Sequence, residues 1–151
     1  MYICKYFKIE ELVSKQVYEY FSRKYGANFC WKFFQEQILK DLDAIREFHG
    51  QAITINNWKF GGSLSQCGLR SNVDPLVKAK STPYCSGHTL GIAFDLHSKD
   101  NKKLFEDVQK LINNGTLKAF RRLESRKSTK DDWVHVDGMQ TANNRLEIFL
   151  A

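Results

Sequence analysis

Two short runs of this chain carry imidazole and carboxylate groups at spacings that suit a metal. The first is Ser86-Gly87-His88-Thr89-Leu90-Gly91-Ile92-Ala93-Phe94-Asp95, and the second is Asp132-Trp133-Val134-His135-Val136-Asp137. Successive side chains of a strand point to opposite faces. Ile92, Phe94 and Leu96 then share a core face, and Ala93, Asp95 and His97 share the other. In the second run Val134 and Val136 point inward, while Trp133, His135 and Asp137 point outward. Pairing the two strands brings Asp95 and His135 together on one face. His88 lies in the loop before its strand and can fold over that face. Two histidines and one carboxylate make a zinc shell whose fourth position stays open to water. Neutral imidazole and ionised carboxylate, the forms zinc needs, both exist near pH 7. By spacing alone the same residues also admit a purely structural reading.

The elements that must position them follow from apolar periodicity. Residues 9–24 read as a helix stopped at Gly26. Residues 34–48 carry a helical stripe of Phe34, Ile38, Leu42, Ile45 and Phe48, ended by Gly50. Residues 52–58 are rich in β-branched side chains and alternate, which predicts a strand. Residues 61–87 have little periodicity and hold both prolines of the chain. A loop this long in a compact domain is commonly functional. A strand is expected over 90–97 and a helix over 101–114, with Leu104, Phe105, Val108, Leu111 and Ile112 on one face and Gly115 as its stop. Strands follow over 118–124, 133–137 and 144–150, with the last turn at Gly138 and Asn143–Asn144. Helices first and strands later predict an α+β fold, N-terminal helices packed on a small, mainly antiparallel sheet that carries the site.

A length of 151 residues is that of one domain, residues 1–151, large enough to bury a core without staples. Apolar residues at 42% and charged ones at 26% suit a globular protein, and no run is long enough to span a membrane. The first residues, MYICKYFKIEELV, are interrupted by charge and do not read as a secretory signal, so synthesis in the cytoplasm is expected. Net charge is +6, which favours polyanionic partners, yet no zinc-finger spacing, helix-turn-helix pattern or aromatic RNA-binding signature supports nucleic acid. Arg121, Arg122, Arg126, Lys127 and Lys130 read as a solvated basic loop. Cys4, Cys30, Cys67 and Cys85 include no C-x-x-C pair and are read as free thiols.

The two runs resemble the zinc D-Ala-D-Ala carboxypeptidases, a family that also contains phage L-alanoyl-D-glutamate endopeptidases. The family pattern is S-x-H-x-x-G-x-A-x-D, then D/E-x-x-H near a tryptophan. Here Ser86, His88, Gly91, Ala93 and Asp95 fall in register, followed by Asp132, Trp133 and His135. Asn56-Asn57-Trp58, Gly61-Gly62 and Gly68-Leu69-Arg70-Ser71 look like the segment that carries the family's substrate-binding arginine. The likeness runs from about residue 28 to 137. It implies a hedgehog/DD-peptidase-like fold and a zinc peptidase, carboxypeptidase or endopeptidase, acting on peptidoglycan stem peptides at the cell wall, with phage lysis or a virion as one route there; a monomer is expected. His88, Asp95 and His135 match the metal ligands, Asp132 the general base, and Arg70 the arginine that binds a substrate carbonyl or carboxylate. One place departs: some members carry a histidine five residues before the last ligand, where this chain has Lys130.

Other residues compete for roles. His97 shares a face with Asp95 and is a rival or supporting group. Asp137 shares a face with His135 and reads as a carboxylate that supports a ligand. His49 ends a helix, where a cation suits the dipole. Trp58 and Trp133 read as core or pocket wall. A module on the same fold that only holds cell-wall peptide is the alternative to an enzyme, and Asp132 argues against it because a binder has no use for a general base.

Overall fold

In the computed structural model, which describes residues 1–141, 143 and 145–150, the N-terminal helical stretch is divided in two. Helix α1 spans Ile9–Leu12 and α2 spans Lys15–Tyr25. The break at Val13 and Ser14 has a local cause. The Ser14 hydroxyl caps α2 by accepting from the Val17 amide at 3.3 Å, worth about 1 kcal/mol. Its own amide donates to the Leu69 carbonyl at 2.8 Å. A 3-10 segment covers Ala27–Phe33, and α3 runs Glu36–His49, closed by left-handed Gly50 at φ 71°. Ile38, Leu42 and Ile45 on α3 are buried, as the stripe predicts, and Leu39 joins them, whereas Phe48, near the helix end, is exposed. Asp41, also buried there, accepts from the amides of Lys118, Ala119 and Phe120 at 2.8, 2.7 and 3.2 Å.

The strand expected over 52–58 does not form. Only Thr54 makes a bridge, to His97. The polar pair Asn56–Asn57 diverts the chain, because side-chain hydrogen bonds compete with a ladder. The buried Asn56 amide donates to the Val13 carbonyl at 3.0 Å and accepts from the Cys67 amide at 2.8 Å. Residues 61–87 are largely irregular, as expected, apart from a short α4 at Pro75–Lys78.

Four strands make one sheet: β1 Ala93–Leu96, β2 Arg122–Glu124, β3 Val134–Asp137 and β4 Glu147–Phe149, in the order β1-β3-β2-β4. β1 and β2 both pair antiparallel with β3. β4 pairs parallel with β2, so the sheet is mixed, and β4 does not form a hairpin with β3. Asn144, ascribed above to the turn and to the last strand, lies outside the described residues. Helix α5 spans Asn101–Asn113 and buries its apolar face, and α6 spans Arg126–Thr129 between β2 and β3. One face of the sheet, with Phe94, Leu96, Leu123, Val134 and Val136, is buried in the core. Phe94 packs on Phe34 and Phe120 at ring distances of 5.8 and 6.2 Å. His49 links α3 to α5 and to Ser98: its ring nitrogens lie 2.8 Å from Asp107 and 2.8 Å from the Ser98 hydroxyl. All four cysteines are free thiols. Among the described residues no helix is long and apolar enough to cross a membrane.

Candidate metal centre

The register of β1 against β3 sets Asp95 directly opposite His135. With the two valines of β3 committed to the core, both side chains are forced to the other face. The His135 Nδ1 lies 2.7 Å from Asp95 Oδ1. His88 comes from the turn before β1 and closes over the same face, its Nε2 3.4 Å from Asp95 Oδ2. Gly87 makes that approach possible, since a Cβ there would stand 2.7 Å from the Ala93 side chain and 3.3 Å from that of Asp137. The candidate ligand atoms of His88, Asp95 and His135 all lie within 4.8 Å of one another, and the three could hold a metal ion.

The remaining nitrogens fit that use. His88 Nδ1 is 2.9 Å from the Gly68 carbonyl, which can only accept, so Nδ1 carries a proton and Nε2 is the nitrogen turned to Asp95. His135 Nε2 is 3.2 Å from Asp137 Oδ2. Asp137 is buried, accepts from the Met139 amide at 2.9 Å and is ion-paired with Arg122 at 3.4 Å. A carboxylate behind a ligand histidine fixes its ring and raises its basicity, the supporting role expected of Asp137. A set of two imidazoles and one carboxylate, with the rings already oriented, suits zinc and related transition metals.

Charge in the metal-free centre is tightly balanced. Burial pushes the Asp95 carboxyl up, but hydrogen bonds from His135 and His88 and their positive charge outweigh it and hold it well below the usual carboxylate range. Burial pushes His135 down, while its contacts with Asp137 and Asp95 push it up, to about 9. The metal-free pocket therefore holds a proton on His135 where a metal would bind. Because the folded value is raised, the stabilisation is full below the unfolded value of about 6.5 and is lost as pH rises through about 9. Two results are expected. The melting temperature of the metal-free protein should fall between pH 7 and 10. Metal affinity should climb about tenfold per pH unit from 6.5 towards 9, because one proton leaves for each metal bound. Competition with a chromophoric chelator across that range measures the second; a flat affinity would show that His135 is not a ligand.

Arg70 reaches the centre on a strap of residues 67–70 that runs along the outer edge of β1. The Asp95 amide donates to the Cys67 carbonyl at 2.8 Å, and the Arg70 amide to the His88 carbonyl at 3.2 Å. The Arg70 guanidinium donates to Asp95 Oδ2 at 3.1 Å and is braced by the Gln66 carbonyl. Asp132 lies in the turn before β3 and is exposed. Among the described residues no hydrogen bond or ion pair joins its carboxylate to His88, Asp95 or His135. His97 is outside the cluster. Its Nε2 is 3.6 Å from Cys67 Sγ, and its ring is hydrogen-bonded to the Asp132 backbone, so it anchors the turn that carries Asp132.

A cleft of about 300 Å3 opens on the centre, lined among others by Tyr84, His88, Glu124, His135, Asp137 and Phe149. Glu124 and Phe149 were not anticipated. The sequence predicts a strand over 118–124, but only the folded sheet brings its last residue to the cleft that His135 lines. A larger cleft, about 500 Å3, lies between the end of α5 and residues 117–121 and 145–146, and none of the three candidate ligands lines it. No family model, curated protein or solved structure matches the chain.

Proposed function

We propose that this protein is a zinc-dependent peptidase that hydrolyses peptide bonds in peptidoglycan stem peptides, on a fold of the hedgehog/DD-peptidase kind. The observation that carries the reading is the meeting of His88, Asp95 and His135, with Arg70 on Asp95, beside an open cleft. These are four of the five residues that the resemblance marks as functional. When bound, zinc acidifies a water and polarises a carbonyl. Arg70, permanently charged and planar, offers two donors to a developing oxyanion or a carboxylate. Asp132, three residues before His135, accepts the water's proton.

The test has two parts. Elemental analysis should find one zinc per chain, and chelation should lower the melting temperature, since metal binds only the folded form. Digestion of purified peptidoglycan, followed by mass spectrometry, should show new termini at one bond of the stem peptide. Zinc near zero that added metal cannot restore would sink the site. Zinc present with intact stem peptides would leave the second reading, a module that holds cell-wall peptide without cutting it. The exposed position of Asp132, without contact to the ligands, is the observation that favours that alternative.

A further inference from the structure

We propose that Glu124 is a second proton-transfer residue of this centre, the one that protonates the leaving amine. The proposal rests on the peptidase reading above and adds a residue the resemblance does not supply.

Placement comes first. β2 pairs with β3 as Arg122 opposite Asp137 and Leu123 opposite Val136. The β2–β3 pairing ends at Leu123–Val136, and Glu124 follows as the last residue of β2, paired with Phe149 of β4. Asp95 faces His135 from the other side of β3. Leu123 is in the core, so Glu124 stands on the same face as the ligands. On the far side of β1 runs the strap with Arg70. The centre is thus flanked by a guanidinium on one side and a carboxyl on the other. A peptide whose carbonyl oxygen turns to Arg70 directs its scissile nitrogen towards β2. Glu124 lines the cleft that would hold that nitrogen, and Asp132 is not among its lining residues.

The environment supports the role. Glu124 is partly buried, and among the described residues its carboxylate forms no hydrogen bond or ion pair. Asp132, exposed in its turn, exchanges protons with solvent. The balance is then simple. The water oxygen bonds to the carbonyl carbon, and a water proton passes to Asp132. The C–N bond breaks, its electron pair stays on nitrogen, and nitrogen takes a proton from Glu124. Glu124 recovers a proton from solvent and Asp132 releases one, so one water has been added across the amide.

The experiment compares wild type, Glu124→Gln and Asp132→Asn on two substrates. One is the stem peptide cut at the bond mapped by mass spectrometry. The other carries the same acyl part as a nitrophenyl ester, whose leaving group needs no proton. Glu124→Gln should slow the peptide by about 10²- to 10⁴-fold and the ester by less than about tenfold. Asp132→Asn should slow both. Zinc affinity of Glu124→Gln, from chelator competition, should match wild type. Equal loss on both substrates, or no loss on either, overturns the role. A tenfold or greater fall in zinc affinity overturns it too, by making Glu124 a ligand. If zinc-loaded wild type cuts neither substrate, the peptidase reading itself falls and this assignment with it.

Discussion

Asp132→Asn is expected to keep the fold and the metal while lowering peptide hydrolysis by about 10²- to 10⁴-fold. Asparagine is nearly isosteric with aspartate but cannot accept the water's proton. The turn that carries Asp132 is built from its backbone. Its amide donates to the Thr129 carbonyl at 3.0 Å, and its carbonyl accepts from the Asn101 side chain at 2.9 Å. Lys130 and Asp131 precede it at φ 55° and 62°, a left-handed pair that reverses the chain. None of these bonds uses the Asp132 carboxylate, so the substitution should not unmake the turn. The strand boundary leaves the role open to it. On a regular strand Asp132 would face away from His135, but β3 begins only at Val134, which frees Asp132 from that alternation. Metal content, melting temperature and stem-peptide turnover are the measurements. A variant that cuts peptidoglycan at the wild-type rate would remove Asp132 from the mechanism. Neighbouring Asp131 would then need testing, although Arg126 already holds it at 2.9 Å.

Arg70→Ala is expected to cost about 10- to 200-fold in kcat/KM, with one zinc still bound per chain. A hydrogen bond to a charged group is worth about 1.5–3 kcal/mol, which sets that range. Zinc should stay because Arg70 supplies no ligand atom. Removing its positive charge from beside Asp95 does not weaken that carboxylate's hold on a cation. The same arginine distinguishes the two kinds of peptidase. A carboxypeptidase grips a free C-terminus, so amidating the substrate should reproduce the loss seen in the variant. An endopeptidase is indifferent to amidation and still needs Arg70. The endopeptidase outcome is expected here. Hydrolysis of paired free-acid and amide peptides by both proteins decides it, and equal rates in all four combinations would show that Arg70 meets no substrate.

The meeting of Asp95 and His135 is legible in the sequence because both lie on a period of two. Once Phe94, Val134 and Val136 are assigned to a core, Asp95 and His135 have only one face left. The loop before β1 likewise announced His88 as a residue free to fold over. What could not be read was pairing beyond neighbouring strands. β4 joins β2 in parallel, an arrangement that depends on a connection whose path short-range pattern does not encode. The placement of Glu124 on the cleft that His135 lines depends on the same kind of long-range pairing. The lost strand at 52–58 has a different cause. Its β-branched residues favour a strand, but Asn56 and Asn57 spend their amides on the chain at Val13, Leu64 and Cys67, contacts that exist only after folding. The Val13–Ser14 break in the first helix is similar, since Leu69 claims both residues from a distance.

The strap at residues 67–70 has a consequence for how this centre tolerates change. Main-chain bonds fix it on both sides: Leu69 exchanges with Leu12 and Ser14 at 2.8 Å each, while Cys67 and Arg70 bond to Asp95 and His88. Its course therefore depends little on the side chain at position 70, while Leu69 is anchored in the core and a Cβ at Gly68 would stand 2.1 Å from the Leu12 carbonyl oxygen. The residue at position 70 is then an exchangeable tool in a fixed holder. Mutant libraries there should sample new substrate preferences with little loss of folded protein, whereas variation at position 68 should be purged for folding alone.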